Sequence, residues 1–249
     1  MKIVVEKPFW DIFPDAKIGI LYAEGITNKE EETLAKYGSM LRQAQENAWQ
    51  YIENPEFAAN PVIASWRKAF RKFKTKKGVR CSIEALLKRI ENGKGLGKIS
   101  PLVDVYNSVS LDFGVPVGGE DVDKFEGTMR LTVAEGGEYF ITLGSEESEP
   151  PYEGEVVYKD DGGAICRCWN WRESVRTQLN EDTKNAVFVI ESCDELTAKN
   201  LPAALDELQA RLEKVVGGTY TKAALSHTAA GQPLMYFCGF LRNGAGSRR

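Results

Sequence analysis

The stretch PLVDVYNSVSLDFGVPVGGEDVDKFEG, residues 101–127, decides how the chain is organised. Its first half predicts a helix from Pro101 to about Phe113, and after Gly114 the character of the sequence changes. Asn107 falls in mid-helix among apolar neighbours, an unusual place for a poor helix former. It either bonds a buried backbone group or reaches a pocket. Gly118-Gly119 lets the backbone approach a ligand closely and turns amides toward an oxygen. Glu120 is then a general base for water, a partner for an α-amino group, or a solvated acid in a plain turn. Asp121 reads as structural.

Upstream, Ile18 to Tyr22 is a short apolar strand. Asn28 to Asn54 reads as one long helix, with Leu34, Tyr37, Leu41, Ala44, Ala48 and Tyr51 at helical spacing and Asn54-Pro55 at its end. Pro61 suits a first helical position, and that helix carries a basic face to about Gly78. Ser82 is placed to cap the next helix, Ile83 to Glu91, with residues 92–97 as connector. Downstream, Met129 to Ala134 alternates as a strand. Gly136-Gly137 reads as a hairpin turn, with Glu138 to Leu143 as the partner. An acidic loop, Glu146 to Glu155, follows. Val156–Lys159 and Ala164–Trp169 form a second hairpin. Ala186–Ile190 is a buried strand, and Leu201–Val216 is an amphipathic helix closed by Gly217-Gly218. Strands grouped between helices imply an α+β fold with mixed or antiparallel sheets flanked by helices. The expected units are an N-terminal extension (1–60), a core domain (61–217) and a loosely specified tail (218–249).

The chain has 249 residues, 43% hydrophobic and 27% charged, which excludes a disordered or fibrous protein. Its apolar runs are shorter than a spanning helix or a secretory signal needs, so no membrane partner and a cytoplasmic location are expected. Five cysteines and one histidine, His227, imply neither a disulfide framework nor a metal shell. No cofactor is expected, and triad chemistry lacks its base. The net charge of -4 is unevenly spread. Residues 67–98 hold twelve Lys/Arg against two Glu, so the remainder is strongly acidic. Arg67, Lys68, Arg71, Lys72, Lys74, Lys76 and Lys77 mark either a polyanion contact or a solvated helix face, with Trp66, Phe70 and Phe73 turned inward.

Arg167-Cys168-Trp169-Asn170-Trp171-Arg172 packs two tryptophans and two arginines into six residues. As a strand it would put Arg167 and Trp169 on one face. Such a set suits stacking on a base, a lid over a pocket, or a core tryptophan pair under covering arginines. Cys166 and Cys168 read as buried fillers.

With those residues in view, the chain resembles the tRNA-editing module of bacterial phenylalanyl-tRNA synthetase, the third and fourth domains of its beta subunit. There the segment runs V-D-V-T-N-Y-V and then G-Q-P-x-H-A-F-D-x-D-K-L-E-G. Val103, Asp104, Val105, Asn107, Val109, Gly114, Pro116, Asp121, Asp123, Lys124, Glu126 and Gly127 match in register. The likeness covers roughly residues 61–217. It is nearest to free-standing proteins built from that module, which also carry W-N-W-R and G-G-E-D.

The resemblance implies an α+β fold that binds the aminoacylated 3′ end of tRNA, with DNA not expected, and hydrolysis of a mischarged ester. An aminoacyl ester is already activated, so positioned water and a carbonyl-polarising donor suffice. The departures lie in the pocket. The family's threonine falls at Tyr106, its histidine at Gly118, and the following Ala-Phe at Gly119-Glu120. Its glycine pair falls near Asn170 and Trp171, and its pocket glutamate at Val189 or Glu191. An altered amino-acid pocket is therefore expected. Glu120 and Asn107 are the expected catalytic residues. Tyr106, Gly118, Gly119, Arg167, Trp169, Asn170, Trp171 and Arg172 would line the pocket, and the seven basic residues would hold phosphates. The competing readings are a binding module that has lost hydrolysis, and a hydrolase or sensor for a small amino-acid derivative without RNA.

Overall fold

A computed structural model describes residues 2–227 and 234–236. In chain order the elements are β1 (Lys2–Val5), α1 (Lys7–Ile12), β2 (Lys17–Glu24), α2 (Glu30–Tyr37), α3 (Met40–Asn47), α4 (Pro61–Ala69), α5 (Ser82–Glu91), α6 (Pro101–Phe113), β3 (Val117–Asp121), β4 (Thr128–Val133), β5 (Val156–Asp160), β6 (Gly163–Arg167), β7 (Arg172–Glu173), β8 (Asn185–Ser192), α7 (Glu195–Ala198), α8 (Leu201–Val216), β9 (Thr219–Ser226) and β10 (Leu234–Tyr236). The strands form two sheets, in orders β10-β1-β4-β5-β6-β7 and β3-β8-β2-β9. The first is mixed, because β1 runs parallel to β4; the second is antiparallel throughout. The fold is α+β, as the order of elements predicts.

The second sheet is covered on both faces, which is why β8 is a nearly unbroken apolar run. Phe188 and Ile190 pack with Leu201, Leu205 and Leu208 of α8 and Val105 and Val109 of α6. Val187 and Val189, pointing the other way, join Met129, Leu131, Val156, Tyr158 and Ile165 of the first sheet. The site sits in this inter-sheet layer. α6 is positioned by its own ends. Ser100 Oγ accepts from Val103 N at 3.4 Å, and Gly114 closes the helix in the left-handed conformation (φ 64°).

Several expected elements come out differently. The long helix is broken into α2, α3 and a 3-10 turn at Ala48–Tyr51, with the break at Gly38-Ser39. Asn28 is outside any helix because its buried amide joins two distant segments: Oδ1 accepts from Leu102 N and Nδ2 donates to Asn180 O. The basic helix stops at Ala69. Beyond it Phe70 and Phe73 turn inward against each other and Phe13, and Lys74 N bonds Gly154 O.

Cys81, not Ser82, holds the N-cap position of α5, without a side-chain cap. Glu138–Leu143 is not a strand: β4 pairs with β1 and β5 instead. The backbone of that segment bonds elsewhere, Tyr139 O to Ala164 N and Ile141 O to Val175 N. Thr219–Ser226, within the expected loose tail, is a full strand beside β2; residues 228–233 and 237–249 of that tail lie outside the described residues. Among the described residues no helix is long and apolar enough to cross a membrane.

Candidate active site

A cavity of about 260 Å3 lies between the sheets. One wall is the β3–β8 pair, with Val117 to Glu120, Val189 and Glu191. The facing wall is Met129, Tyr158, Ile165, Cys166 and Glu173. Tyr106 and Asn107 of α6, Ser82 and Leu86 of α5, and the Trp169–Arg172 turn close the ends. A shallower depression beyond Tyr106, Gly119 and Glu173 is rimmed by Ile99 and Leu143, both well exposed.

Gly118-Gly119 is strand, not turn: the bare Gly118 leaves room on the cavity face, and the bare Gly119 lets Phe188 and Leu179 pack close on the opposite face. A Cβ on Gly119 would stand 2.8 Å from Phe188 Cδ1, and one on Gly118 would stand 3.4 Å from Glu173 Oε1. Glu120 is correspondingly not a solvated acid. It is buried on the cavity wall, and its Oε2 has no hydrogen-bond partner. Asp121 is structural: it accepts from Asp123 N and from Thr183 Oγ1.

The Trp169–Arg172 turn explains why the six-residue motif does not read as a strand. β6 ends at Arg167, and Cys168 and Trp169 both have left-handed backbone (φ 47° and 67°). That conformation costs on the order of 1–3 kcal/mol per non-glycine residue. It is held by Trp169 N bonding Val156 O at 2.6 Å and by ring contacts of Trp169 with Phe9, Phe13 and Trp66 at 4.5–5.0 Å. Trp169 thereby faces the aromatic core, and Asn170 and Trp171 swing to the cavity. Arg167 parts from Trp169 and leaves the site. It is buried, forks onto Glu155 at 2.6 and 3.1 Å, and donates to Glu149 O at 2.8 Å. Arg167 is therefore a structural ion pair and not a pocket residue. Arg172 stays at the mouth, 4.9 Å from the Trp171 ring. Cys166 and Cys168 are both buried; Cys166 is part of the cavity wall.

Three cavity carboxyls are raised, chiefly by burial. Glu120 lies well above the ordinary range, with the Glu173 charge as the next cause. Glu173 retains some solvent exposure, yet crowding on the cavity side raises it to about 7, against a backbone hydrogen bond from Gly119. Glu191 rises to about 8, moderated by Asn170, whose Nδ2 donates to Glu191 Oε2 at 3.0 Å. Two titratable groups pushed up together in one cleft mark acid–base capacity. Glu173 is not among the expected pocket residues, and Glu191 is one of two positions expected for the family's pocket glutamate. A glutamate inside an otherwise aromatic or apolar segment, as in Trp171-Arg172-Glu173 and Phe188-Val189-Ile190-Glu191, was the available signal.

Tyr106, Asn107, Gly118, Gly119, Glu120, Trp169, Asn170, Trp171 and Arg172 all border the cavity. Arg67, Lys68, Arg71, Lys72, Lys74, Lys76 and Lys77 are exposed on the segment that leads into Ser82. Four of them have internal partners, Arg71 among them, whose Nε donates to Arg67 O at 3.1 Å. Arg67 forks onto Glu84 at 2.7 and 2.9 Å, Lys76 meets Glu149 at 3.2 Å, and Lys72 lies over the Phe13 ring.

The model for the B3/4 domain matches residues 65–231. The phenylalanine–tRNA ligase beta subunit of Ruegeria pomeroyi is 31% identical over 58% of the chain, and that of Nocardia farcinica 31% identical over 54%. These matches span only 18% and 16% of the relatives' own lengths. An N-terminal fragment of the phenylalanyl-tRNA synthetase beta subunit from Pyrococcus horikoshii aligns with 90% of the chain and 54% of its own, at TM-score 0.43 and 12% identity.

Proposed function

Because the chain belongs to the B3/4 domain family, we propose that it is an aminoacyl-tRNA editing deacylase acting in trans on mischarged tRNA. The observation that carries this reading is the pairing of the buried Glu120 with Glu173 on the cavity wall, beside the side-chain-free Gly118. The Glu173 charge helps to raise Glu120, so near neutrality one carboxyl of the pair holds a proton and the other is ionised. The ionised member takes a proton from water as the water oxygen bonds to the ester carbonyl carbon. The Asn107 amide steadies the developing oxyanion. The bond to the ribose oxygen then breaks, and that oxygen takes back the proton as the free amino acid leaves. Glu173 is the ionised member in this reading, since its charge is what raises Glu120, and Glu120 keeps the shared proton with its Oε2 unpartnered on the cavity wall. The 3′ end would enter past the exposed basic segment and Trp171, which offers a stacking face. The cytoplasm, where tRNA is charged, is the proposed location.

The test is a deacylation panel, with the protein against tRNAs charged correctly and incorrectly with each amino acid. Selective release of one amino acid, lost in Glu120→Gln, supports the reading. Full rates in Glu120→Gln would remove Glu120 from the mechanism. A binding module without hydrolysis is the second reading, favoured by Tyr106 and Gly118 where the family pattern has threonine and histidine. It predicts saturable tRNA binding and no turnover.

A further inference from the structure

The cavity holds more acid than the hydrolysis needs. In the β3–β8 register Gly118 faces Val189, Glu120 faces Val187, and Glu191 lies two residues beyond Val189 on the same face. Glu120 and Glu191 are thus four residue steps apart along the sheet, roughly 13 Å between their backbones at about 3.3 Å per residue. Glu173 reaches in over Gly118, between them. The three carboxyls form a row along the cavity, and not a knot. Among the described residues no group of three or more His, Cys, Asp or Glu is gathered closely enough to hold a metal ion.

The row also lacks internal counter-charge. Arg172, exposed at the mouth, is the sole basic residue among those that line the cavity. Arg176 lies toward Glu120, but its guanidinium forks onto Asp160 at 2.5 and 3.0 Å. Thr177 and Asp121 are the other polar neighbours of Glu120. At one end of the cavity wall the buried Glu120 Oε2 meets no hydrogen-bond partner, and at the other Tyr158 Oη turns toward Glu191, with no charge to meet that carboxyl. Buried acids and orphaned acceptors are costly unless a ligand brings donors and positive charge.

We infer that the cavity takes an aminoacyl group with two amino functions, its α-amine held at Glu120, which leaves Glu173 for the water, and an amine-bearing side chain reaching Glu191 and Tyr158. This rests on the deacylase reading for the ester, but the recognition is a separate property. A single α-ammonium satisfies one end of the row only. A phenol or alkyl side chain offers Glu191 no charge to ionise against. An ω-ammonium supplies three donors and the charge together.

The experiment is calorimetric binding of L-lysine methyl ester, L-norleucine methyl ester and L-tyrosine methyl ester to the full chain at pH 7. The first two differ in the ω-ammonium alone. The lysine ester is expected to bind at least about tenfold more tightly than either of the others, the usual worth of a buried charge-assisted hydrogen bond. Compared in buffers of different ionisation enthalpy, it should also release more protons than the norleucine ester, because an ammonium ionises the acid it meets. Glu191→Gln, which keeps an acceptor for Asn170, should erase the preference. Equal affinities, tighter binding of the tyrosine ester, no measurable binding, or a preference that survives Glu191→Gln would each overturn the inference. The two readings fail separately. Preference for the lysine ester without tRNA deacylation removes the enzyme and keeps the pocket. Deacylation without the preference does the reverse.

Discussion

Asn170 ties Glu191 to a helix it would otherwise never meet. Its Nδ2 donates to Glu191 Oε2 at 3.0 Å, and its Oδ1 accepts from Ser82 N at 3.4 Å. One amide thus joins β8, the turn after β6 and the first turn of α5, and it fixes the far end of the cavity. Asn170→Ala leaves Glu191 without its donor and the Ser82 amide without its acceptor. The expected loss is about 1–3 kcal/mol of stability, the usual cost of stranding a buried polar group. Denaturant unfolding at pH 7 measures it, and an unchanged midpoint would show that the bond contributes nothing.

Glu191 makes stability depend on pH in a definite direction. Burial raises its folded pKa to about 8 from the ordinary 4.5. The folded state therefore binds more protons than the unfolded one between those values. The contribution is fully present below about pH 4.5 and is lost as pH rises toward 8. Glutamine in its place is indifferent to pH. Glu191→Gln should match the parent near pH 5 and exceed it at pH 8.5 by on the order of a few kcal/mol, at about 1.4 kcal/mol per pKa unit. Thermal unfolding across pH 5–9 compares the two curves, and parallel curves would sink the assignment.

Arg167 is paired inside the protein and does not line the cavity. Its guanidinium and the Glu155 carboxylate are almost wholly buried and paired at 2.6 Å. Removing one partner of such a pair leaves the other charge stranded, and about 3–5 kcal/mol is the usual loss. Glu155→Gln should unfold far more easily than the parent, while folded protein at low temperature keeps its ligand affinity because neither residue lines the cavity. A selective loss of affinity with unchanged stability would return Arg167 to the site.

Much of this was legible in the sequence, and the failures share causes. α6 is read from its own residues, whereas β3 is not, because two glycines followed by two acids carry the composition of a turn and only pairing with β8 makes them a strand. Periodicity located Glu138–Leu143 but could not tell which partner its backbone would choose. The left-handed pair at Cys168 and Trp169 was invisible, since neither is a residue that ordinarily adopts that conformation. Without that turn Arg167 was assigned to the wrong surroundings. Glu173 and Glu191 were obscured because a charged residue in a strand reads as solvent-facing. Only the covering second sheet makes both faces interior. The parallel pairing of β1 with β4 joins segments more than a hundred residues apart, and no local signal carries it.

The basic segment separates phosphate contact from internal pairing. Arg67 is committed to the buried Glu84, and its removal would confound binding with stability. Lys68, Arg71, Lys74 and Lys77 are exposed, and none of their carboxylate contacts is a close salt bridge among the described residues. Replacing these four with glutamine should shift unfolding by no more than about 0.5 kcal/mol each. If each holds a phosphate of the single-stranded 3′ end, the slope of log affinity against log salt should fall by roughly 0.7 per contact, near three in all. Binding of the small methyl esters should be untouched, because the four residues lie outside the cavity wall. An unchanged salt slope would place the RNA on another face of the molecule. Lost ester binding would mean instead that the segment holds the cavity open.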